Sequence, residues 1–187
     1  MKLQVAMDLL TVEDALELAG KVAEYVDIIE LGTPLIKAAG LSAVTAVKAA
    51  HPDKIVFADM KTMDAGELEA DIAFKAGADL VTVLGAADDS TIAGAVKAAK
   101  AHNKGIVVDL IGVADKVTRA KEVRALGAKF VFVGRPFNYA AAVAGEAGVR
   151  KAITLLREEV SRNMAMLGVN SLAELDASYL LRTPSGV

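Results

Sequence analysis

Cysteine and tryptophan are absent from this 187-residue chain, and aromatic residues make up only 4% of it. Without cysteine there can be no disulfide and no thiolate metal site. With so few aromatics, the core must be built from Ala, Val, Leu and Ile, which suits a parallel sheet under Ala-rich helices. Basic runs are also missing, and the net charge is −3, which argues against a nucleic-acid partner. No apolar run reaches membrane length, so no membrane partner is expected. The start, Met1-Lys2-Leu3-Gln4-Val5, reads as a strand rather than a signal peptide, and a cytoplasmic location is the expectation. Histidine is scarce: only His51 and His102 occur. Each ends a predicted helix, where pairing with the helix dipole explains it better than catalysis does.

What is present is apolar and periodic. Hydrophobic residues are 54% of the chain, enough for one folded domain spanning 1–187. Strand-like runs fall at 3–7, 27–31, 54–58, 79–84, 105–110 and 129–133. They recur about every 25 residues, with Ala-rich helical segments between them, so the chain is a βα repeat. Glycines in the links Ala76-Gly77-Ala78 and Leu126-Gly127-Ala128 suit helix C-caps.

Repeated βα units imply an α/β fold with a parallel sheet. A TIM-barrel-like closure is favoured over an open sheet because Asp8, Glu30, Asp59 and Asp109 all sit at strand exits. In a barrel those exits share one rim, the usual active-site face. Six strands are predicted where a full barrel has eight. The expectation is therefore an incomplete or atypically closed barrel. A long amphipathic helix follows over 146–167, and Ser171-Leu172-Ala173-Glu174 reads as a capping box before a last short helix. Composition changes too: five of the six basic residues from position 132 onward are Arg, whereas Lys alone is used before position 119.

The rim residues carry the chemistry. Asp59 and Lys61 share one side of a strand by its period of two. A buried strand that ends in an acid and a base either forms a structural ion pair or builds a site. Glu30 and Asp59, on neighbouring strands with no Cys or His nearby, suit a hard divalent ion such as Mg²⁺. Lys61 suits a developing oxyanion or a substrate hydroxyl, and Asp8 suits a hydroxyl contact or a base. Asp64 either orients Lys61, reaches a partner subunit or caps the next helix. Gly134-Arg135-Pro136-Phe137 reads as a phosphate cradle or as a tight turn with a surface Arg.

Residues 1–131 resemble the 3-hexulose-6-phosphate synthase family of the orotidine-phosphate decarboxylase superfamily. The resemblance rests on Val5-Ala6-Met7-Asp8-Leu9, Ile29-Glu30-Leu31-Gly32-Thr33-Pro34, Phe57-Ala58-Asp59-Met60-Lys61-Thr62-Met63-Asp64 and Val107-Val108-Asp109-Leu110. It implies a (β/α)₈ barrel and a Mg²⁺-dependent aldol addition of formaldehyde to D-ribulose 5-phosphate. It also implies that Glu30 and Asp59 hold a metal that stabilises an enediolate, and that Asp8 and Lys61 contact the sugar. Asp64 would reach into the neighbouring subunit of a homodimer. The family pattern has a histidine after strand six and glycine-rich phosphate loops after strands seven and eight. Here Gly134-Arg135 stands after the sixth predicted strand.

Residues 125–181 resemble the C-terminus of FMN-dependent 2-hydroxy-acid dehydrogenases, through Gly134-Arg135-Pro136-Phe137-Asn138-Tyr139, Gly145-Glu146-Ala147-Gly148-Val149 and Leu172-Ala173-Glu174-Leu175. There the Gly-Arg pair holds the flavin phosphate. The chain thus reads as a chimera or truncated barrel: synthase-like βα units over 1–131, then a flavoenzyme-like unit and C-terminal helices over 132–187. Two functions follow. One is a synthase-type lyase acting on a sugar phosphate, with Asp109, Gly134 and Arg135 as further substrate or phosphate contacts. The other is a non-catalytic barrel that keeps a phosphate or FMN-phosphate site.

Overall fold

Alternation between helix-forming and strand-forming segments gives β1 (Gln4–Met7), α1 (Val12–Val22), β2 (Ile28–Leu31), α2 (Thr33–Ala39), α3 (Ser42–Ala50), β3 (Ile55–Thr62), α4 (Gly66–Lys75), β4 (Leu80–Leu84), α5 (Asp89–His102), β5 (Gly105–Asp109), α6 (Lys116–Ala125) and α7 (Arg135–Leu167). The structure is a computed structural model, and it describes residues 2–125 and 135–174. The predicted sixth strand at 129–133 and Gly134 lie outside the described residues.

Local chemistry explains the element ends. Thr11 caps α1, its Oγ1 accepting the Asp14 N–H at 3.2 Å, and Glu13 and Asp14 complement the helix dipole. Pro34 sits in the first turn of α2, where its missing N–H costs nothing. Two helices lie between β2 and β3, because Gly40 (φ 68°) ends α2 before Ser42 starts α3. Asn103 ends α5 in the left-handed conformation, with φ 54°.

The five strands form one parallel sheet in the order β1-β2-β3-β4-β5, a (β/α) barrel-type arrangement whose sheet is not closed among the described residues. Side chains alternate faces along each strand. Met7, Ile29, Leu31, Val56, Ala58, Val81, Val83 and Ile106 pack against helix residues such as Ala15, Leu35, Val44, Val47 and Ile92. Fully burying each Val or Leu contributes about 1.5–3 kcal/mol. The alternate residues, Ile28, Phe57, Leu80 and Val107, form a second cluster made of strand residues alone, on the inner face. The same alternation places Glu30, Asp59, Thr82 and Asp109 two residues further along, above that cluster. The apolar layer is thus the floor of the candidate site.

The chain divides into two compact units, Lys2–Phe130 and Val131–Val187 with Met1. In the second unit α7 starts at Arg135, earlier than the helix expected over 146–167. Ala144 and Gly145 leave helical geometry, so α7 is two helices meeting at a kink. The last element among the described residues is a single 3₁₀ turn, Leu172–Glu174. Among the described residues, no helix is long and apolar enough to cross a membrane.

Candidate active site

Lys61 is the centre of the inner-face rim. Its Nζ donates to Asp59 Oδ1 at 2.8 Å and Oδ2 at 2.7 Å, and lies 2.8 Å from Asp109 Oδ2. Simple alternation anticipates the Asp59–Lys61 approach, but the backbone reaches it differently. The β3–β4 register shifts between Ala58 and Thr62, and Lys61 itself sits at φ 49°. A non-glycine residue in this region costs about 1–2 kcal/mol. The two carboxylates offset that cost, and the bulge turns the ammonium back over the rim. Beyond it, Thr62 is buried and its hydroxyl donates to Glu69 Oε2 at 2.6 Å, which anchors the end of β3 to α4.

Asp59 is buried, and Thr33 at the start of α2 donates to both its Oδ2 and its backbone carbonyl at 2.9 Å. Asp109 accepts the Ile111 N–H at 2.9 Å through Oδ1. Glu30, next to β3 in the sheet, accepts from Gln4 Nε2 at 2.6 Å. Asp8 follows β1 and leans over the β2–α2 turn. A side chain at Gly32 would lie 2.1 Å from Asp8 Oδ1 and 2.9 Å from the fixed Met7 carbonyl, so glycine keeps this approach open. Two carboxylates, Asp59 and Asp109, therefore hold one ammonium, and Glu30 feels the charges of Asp59, Lys61 and Asp8.

The electrostatics record this imbalance. Burial, reinforced by the charge of Asp59 and to a lesser degree of Asp8, pushes the Glu30 carboxyl up to about 7, against the pull of Gln4 and Lys61. Burial opposes the charged form of Asp109, but hydrogen bonds from Lys61 and the Ile111 amide outweigh it and hold this carboxyl below its usual range. Burial likewise works against the Lys61 ammonium, and Asp109 and Asp59 together more than reverse it, raising its pKa above the ordinary value.

The structure therefore brings Asp8, Glu30, Asp59, Lys61 and Asp109 to one rim. It does not bring Asp64 there: its Oδ1 accepts the adjacent Ala65 N–H at 2.6 Å, beside a shallow cleft between the starts of α4 and α5. No hydrogen bond or ion pair joins it to the Lys61 cluster among the described residues. Neither does it cap α4 through its side chain, because Ala65, at φ 51°, holds that position. Gly134 lies outside the described residues, and Arg135 opens α7 in the other unit.

Sequence reasoning misses Gln4, Thr33 and Thr82. Gln4 and Thr82 fall on the inner face by the same period of two, a signal available from the strands alone. Each carries a buried side-chain oxygen without a partner among the described residues, Gln4 Oε1 and Thr82 Oγ1. No group of three or more His, Cys, Asp or Glu among the described residues is arranged to hold a metal ion. The donor set still fits Mg²⁺, which takes one or two carboxylates and keeps waters. Glu30 and Asp59 supply hard oxygens, and the orphaned Gln4 oxygen lies on the amide that touches Glu30.

With this geometry in place, comparison with known proteins is informative. The profile described as "Orotidine 5'-phosphate decarboxylase / HUMPS family" matches residues 1–167. The chain belongs to this family. It is 88% identical over 131 residues to a 3-hexulose-6-phosphate synthase of Mycobacterium gastri, a match covering 70% of this chain and 63% of the relative. A 3-hexulose-6-phosphate synthase of Bacillus subtilis (strain 168) is 50% identical over 133 residues, covering 71% and 63%. The chain therefore spans less than two thirds of the length of these synthases. The crystal structure of 3-hexulose-6-phosphate synthase from Salmonella typhimurium superposes with a TM-score of 0.68 at 42% identity, over 84% of this chain and 74% of that one. None of these matches speaks for a flavoenzyme origin of residues 125–181.

Proposed function

We propose that this protein is a lyase of the 3-hexulose-6-phosphate synthase type, joining formaldehyde to D-ribulose 5-phosphate in the cytoplasm. The observation that carries this reading is Lys61 held between Asp59 and Asp109, beside a Glu30 carboxyl raised to about 7. An aldol addition removes a proton from the carbon next to the ketose carbonyl, and that carbon then bonds to formaldehyde. Negative charge develops on the neighbouring oxygens, so a fixed cation facing them lowers the barrier. Lys61 supplies that charge from a pre-set position. Asp8, at the open side of the rim, binds a sugar hydroxyl or takes the proton. Glu30 and Asp59 would hold Mg²⁺, which when bound supplies Lewis-acid charge to the same oxygens. Asp109 orients Lys61. Asp64 would serve the partner subunit of a homodimer, and Gly134 and Arg135 would hold the sugar phosphate.

The test is formaldehyde-dependent consumption of ribulose 5-phosphate with Mg²⁺ present. Turnover that vanishes in Asp59→Ala supports the reading. No turnover at high enzyme concentration rejects it. The family's strand-six histidine is replaced here, and loss of a general base costs about 10²–10⁴ in rate. A slow but Mg²⁺-dependent reaction is therefore the expected result.

A second reading applies to the tail alone. The matches to the two synthases cover 131 and 133 residues, 70% and 71% of this chain. We propose as the alternative a non-catalytic barrel that keeps Gly134 and Arg135 as a phosphate or FMN-phosphate site, although the family match over residues 1–167 counts against a separate descent of the tail. Titration with FMN and with ribulose 5-phosphate separates the two: flavin binding without sugar-phosphate binding favours the second.

A further inference from the structure

Arg119 belongs to none of the roles above, yet its guanidinium meets two backbone carbonyls and two carboxylates. It lies in the first turn of α6, which Asp115 organises. Asp115 Oδ1 accepts the Thr118 N–H at 3.0 Å, its Oδ2 accepts the Thr118 hydroxyl at 2.7 Å, and its carbonyl accepts the Arg119 N–H at 3.1 Å. From this fixed base the guanidinium reaches back over thirty residues in sequence to the turn between β4 and α5. Nε donates to Gly85 O at 2.7 Å and an Nη donates to Ala87 O at 2.9 Å. The other Nη meets Asp89 at 2.7 Å and Glu122 at 2.9 Å.

The two pairs of contacts differ in kind. Asp89 and Glu122 are more than half exposed, and ion pairs in such surroundings contribute little. The carbonyls belong to a turn that has left the sheet ladder, and Ala87 is itself buried. That turn lies flat against the end of β5. The Gly85 N–H donates to the Asp109 carbonyl at 2.7 Å, and a side chain at Gly85 would come within 2.7 Å of Leu110 Cδ2. Asp109 in turn holds Lys61 through its carboxylate. One line of contacts therefore runs from α6 through the β4–α5 turn to the ammonium at the centre of the rim.

We infer that Arg119 is a positioning residue: by forking across the Gly85 and Ala87 carbonyls it fixes the turn whose amide sets Asp109 against Lys61. The inference rests on the proposed aldol reaction only for its kinetic consequence. The clamp itself stands on the geometry.

The experiment compares three variants of the full chain: Arg119→Met, Arg119→Lys, and the pair Asp89→Asn with Glu122→Gln. Two quantities are read, hydrogen exchange at the Gly85 amide and the kcat and KM for ribulose 5-phosphate with formaldehyde and Mg²⁺. In Arg119→Met, exchange at Gly85 rises at least about tenfold while Val81 and Val83 in the core of β4 hold their protection. In the same variant kcat falls about 10- to 100-fold with KM changed by less than about twofold, the signature of a misplaced group. Arg119→Lys restores neither, because a flexible point-like ammonium does not reproduce the rigid, fixed spacing of the guanidinium Nε and Nη donors. The Asp89 and Glu122 pair keeps both at the wild-type level. Full rescue by Arg119→Lys, or loss reproduced by the Asp89 and Glu122 pair, would overturn the inference in favour of a simple ion-pair tie. So would exchange that rises uniformly along β4. If Arg119→Met does not fold, Arg119→Lys and the double variant carry the comparison. If the wild-type chain turns over no substrate, the proposed reaction fails, and the Gly85 exchange pattern alone decides the clamp.

Discussion

Two clusters of lysine and aspartate stand at opposite ends of the same sheet, and they are built in opposite proportions. At the strand entrances one carboxylate, Asp79, lies between two ammoniums. Lys48 Nζ is 2.8 Å from its Oδ2, Lys104 binds Oδ1, and the Val56 N–H adds a third bond at 2.9 Å. At the exits one ammonium, Lys61, lies between two carboxylates, with Glu30 and Asp8 adding like charge. The first cluster keeps one surplus positive charge, but its donors are satisfied, because Lys48 Nζ also donates to the carbonyls of Pro52 at 3.2 Å and Lys54 at 2.8 Å. Burial works against the charge on Asp79, but its two lysines and the amide more than compensate and hold its pKa below the ordinary value. The second cluster is left with surplus negative charge, which adds to burial, the larger cause, in raising the Glu30 carboxyl to about 7. The same residue types thus make a staple at one end and an unfinished site at the other. Stoichiometry, rather than the presence of an ion pair, distinguishes the structural cluster from the candidate site.

Breaking the exit cluster has the largest expected effect. Asp59→Ala removes one of the Lys61 partners and one of the two candidate metal oxygens, and kcat/KM for the proposed reaction falls by about 10³-fold or more. Steady-state kinetics on the folded variant measures this. Asp79→Asn breaks the entrance cluster instead. It destabilises the fold by about 1–3 kcal/mol in chemical denaturation and leaves kcat per folded molecule unchanged.

The two ends also respond to pH with opposite sign. Asp79 has a lowered folded-state pKa, so its stabilisation is present above the unfolded value and is lost as pH falls through the acid range. Glu30 has a raised one, so its contribution is fully present below the unfolded value near 4.5 and is lost as pH rises through about 7. Between pH 5.5 and 8.5 the metal-free protein therefore loses stability that Glu30→Gln does not lose. After allowance for the partial exposure of the group, the difference is about 1–2 kcal/mol. Denaturation midpoints of both proteins across that range measure it.

Much of this architecture is legible in the amino-acid sequence. Apolar runs mark all five strands to within a residue or two at their starts, because buried parallel strands leave little room for polar residues. Period-two alternation puts Glu30, Asp59 and Asp109 on one face. What escapes is set by contacts distant in sequence. Thr33 reaches Asp59 across the sheet, and Arg119 reaches Gly85 from a later helix, and neither leaves a local pattern. The bulge at Lys61 is hidden because a non-glycine residue at positive φ has no sequence signature. Glycine at position 40 is visible, but its ending of α2 ahead of α3 depends on its backbone angle.

The central claim is that the exit cluster stays electrically incomplete until a divalent cation joins it. Isothermal titration of the metal-free protein with Mg²⁺ at pH 7, repeated in buffers of different ionisation enthalpy, tests this directly. Binding should release roughly half a proton per site, as a carboxyl titrating near 7 gives up its hydrogen to the incoming charge. That release should disappear in Glu30→Gln. Binding without proton release, or no binding at millimolar Mg²⁺, would contradict the account.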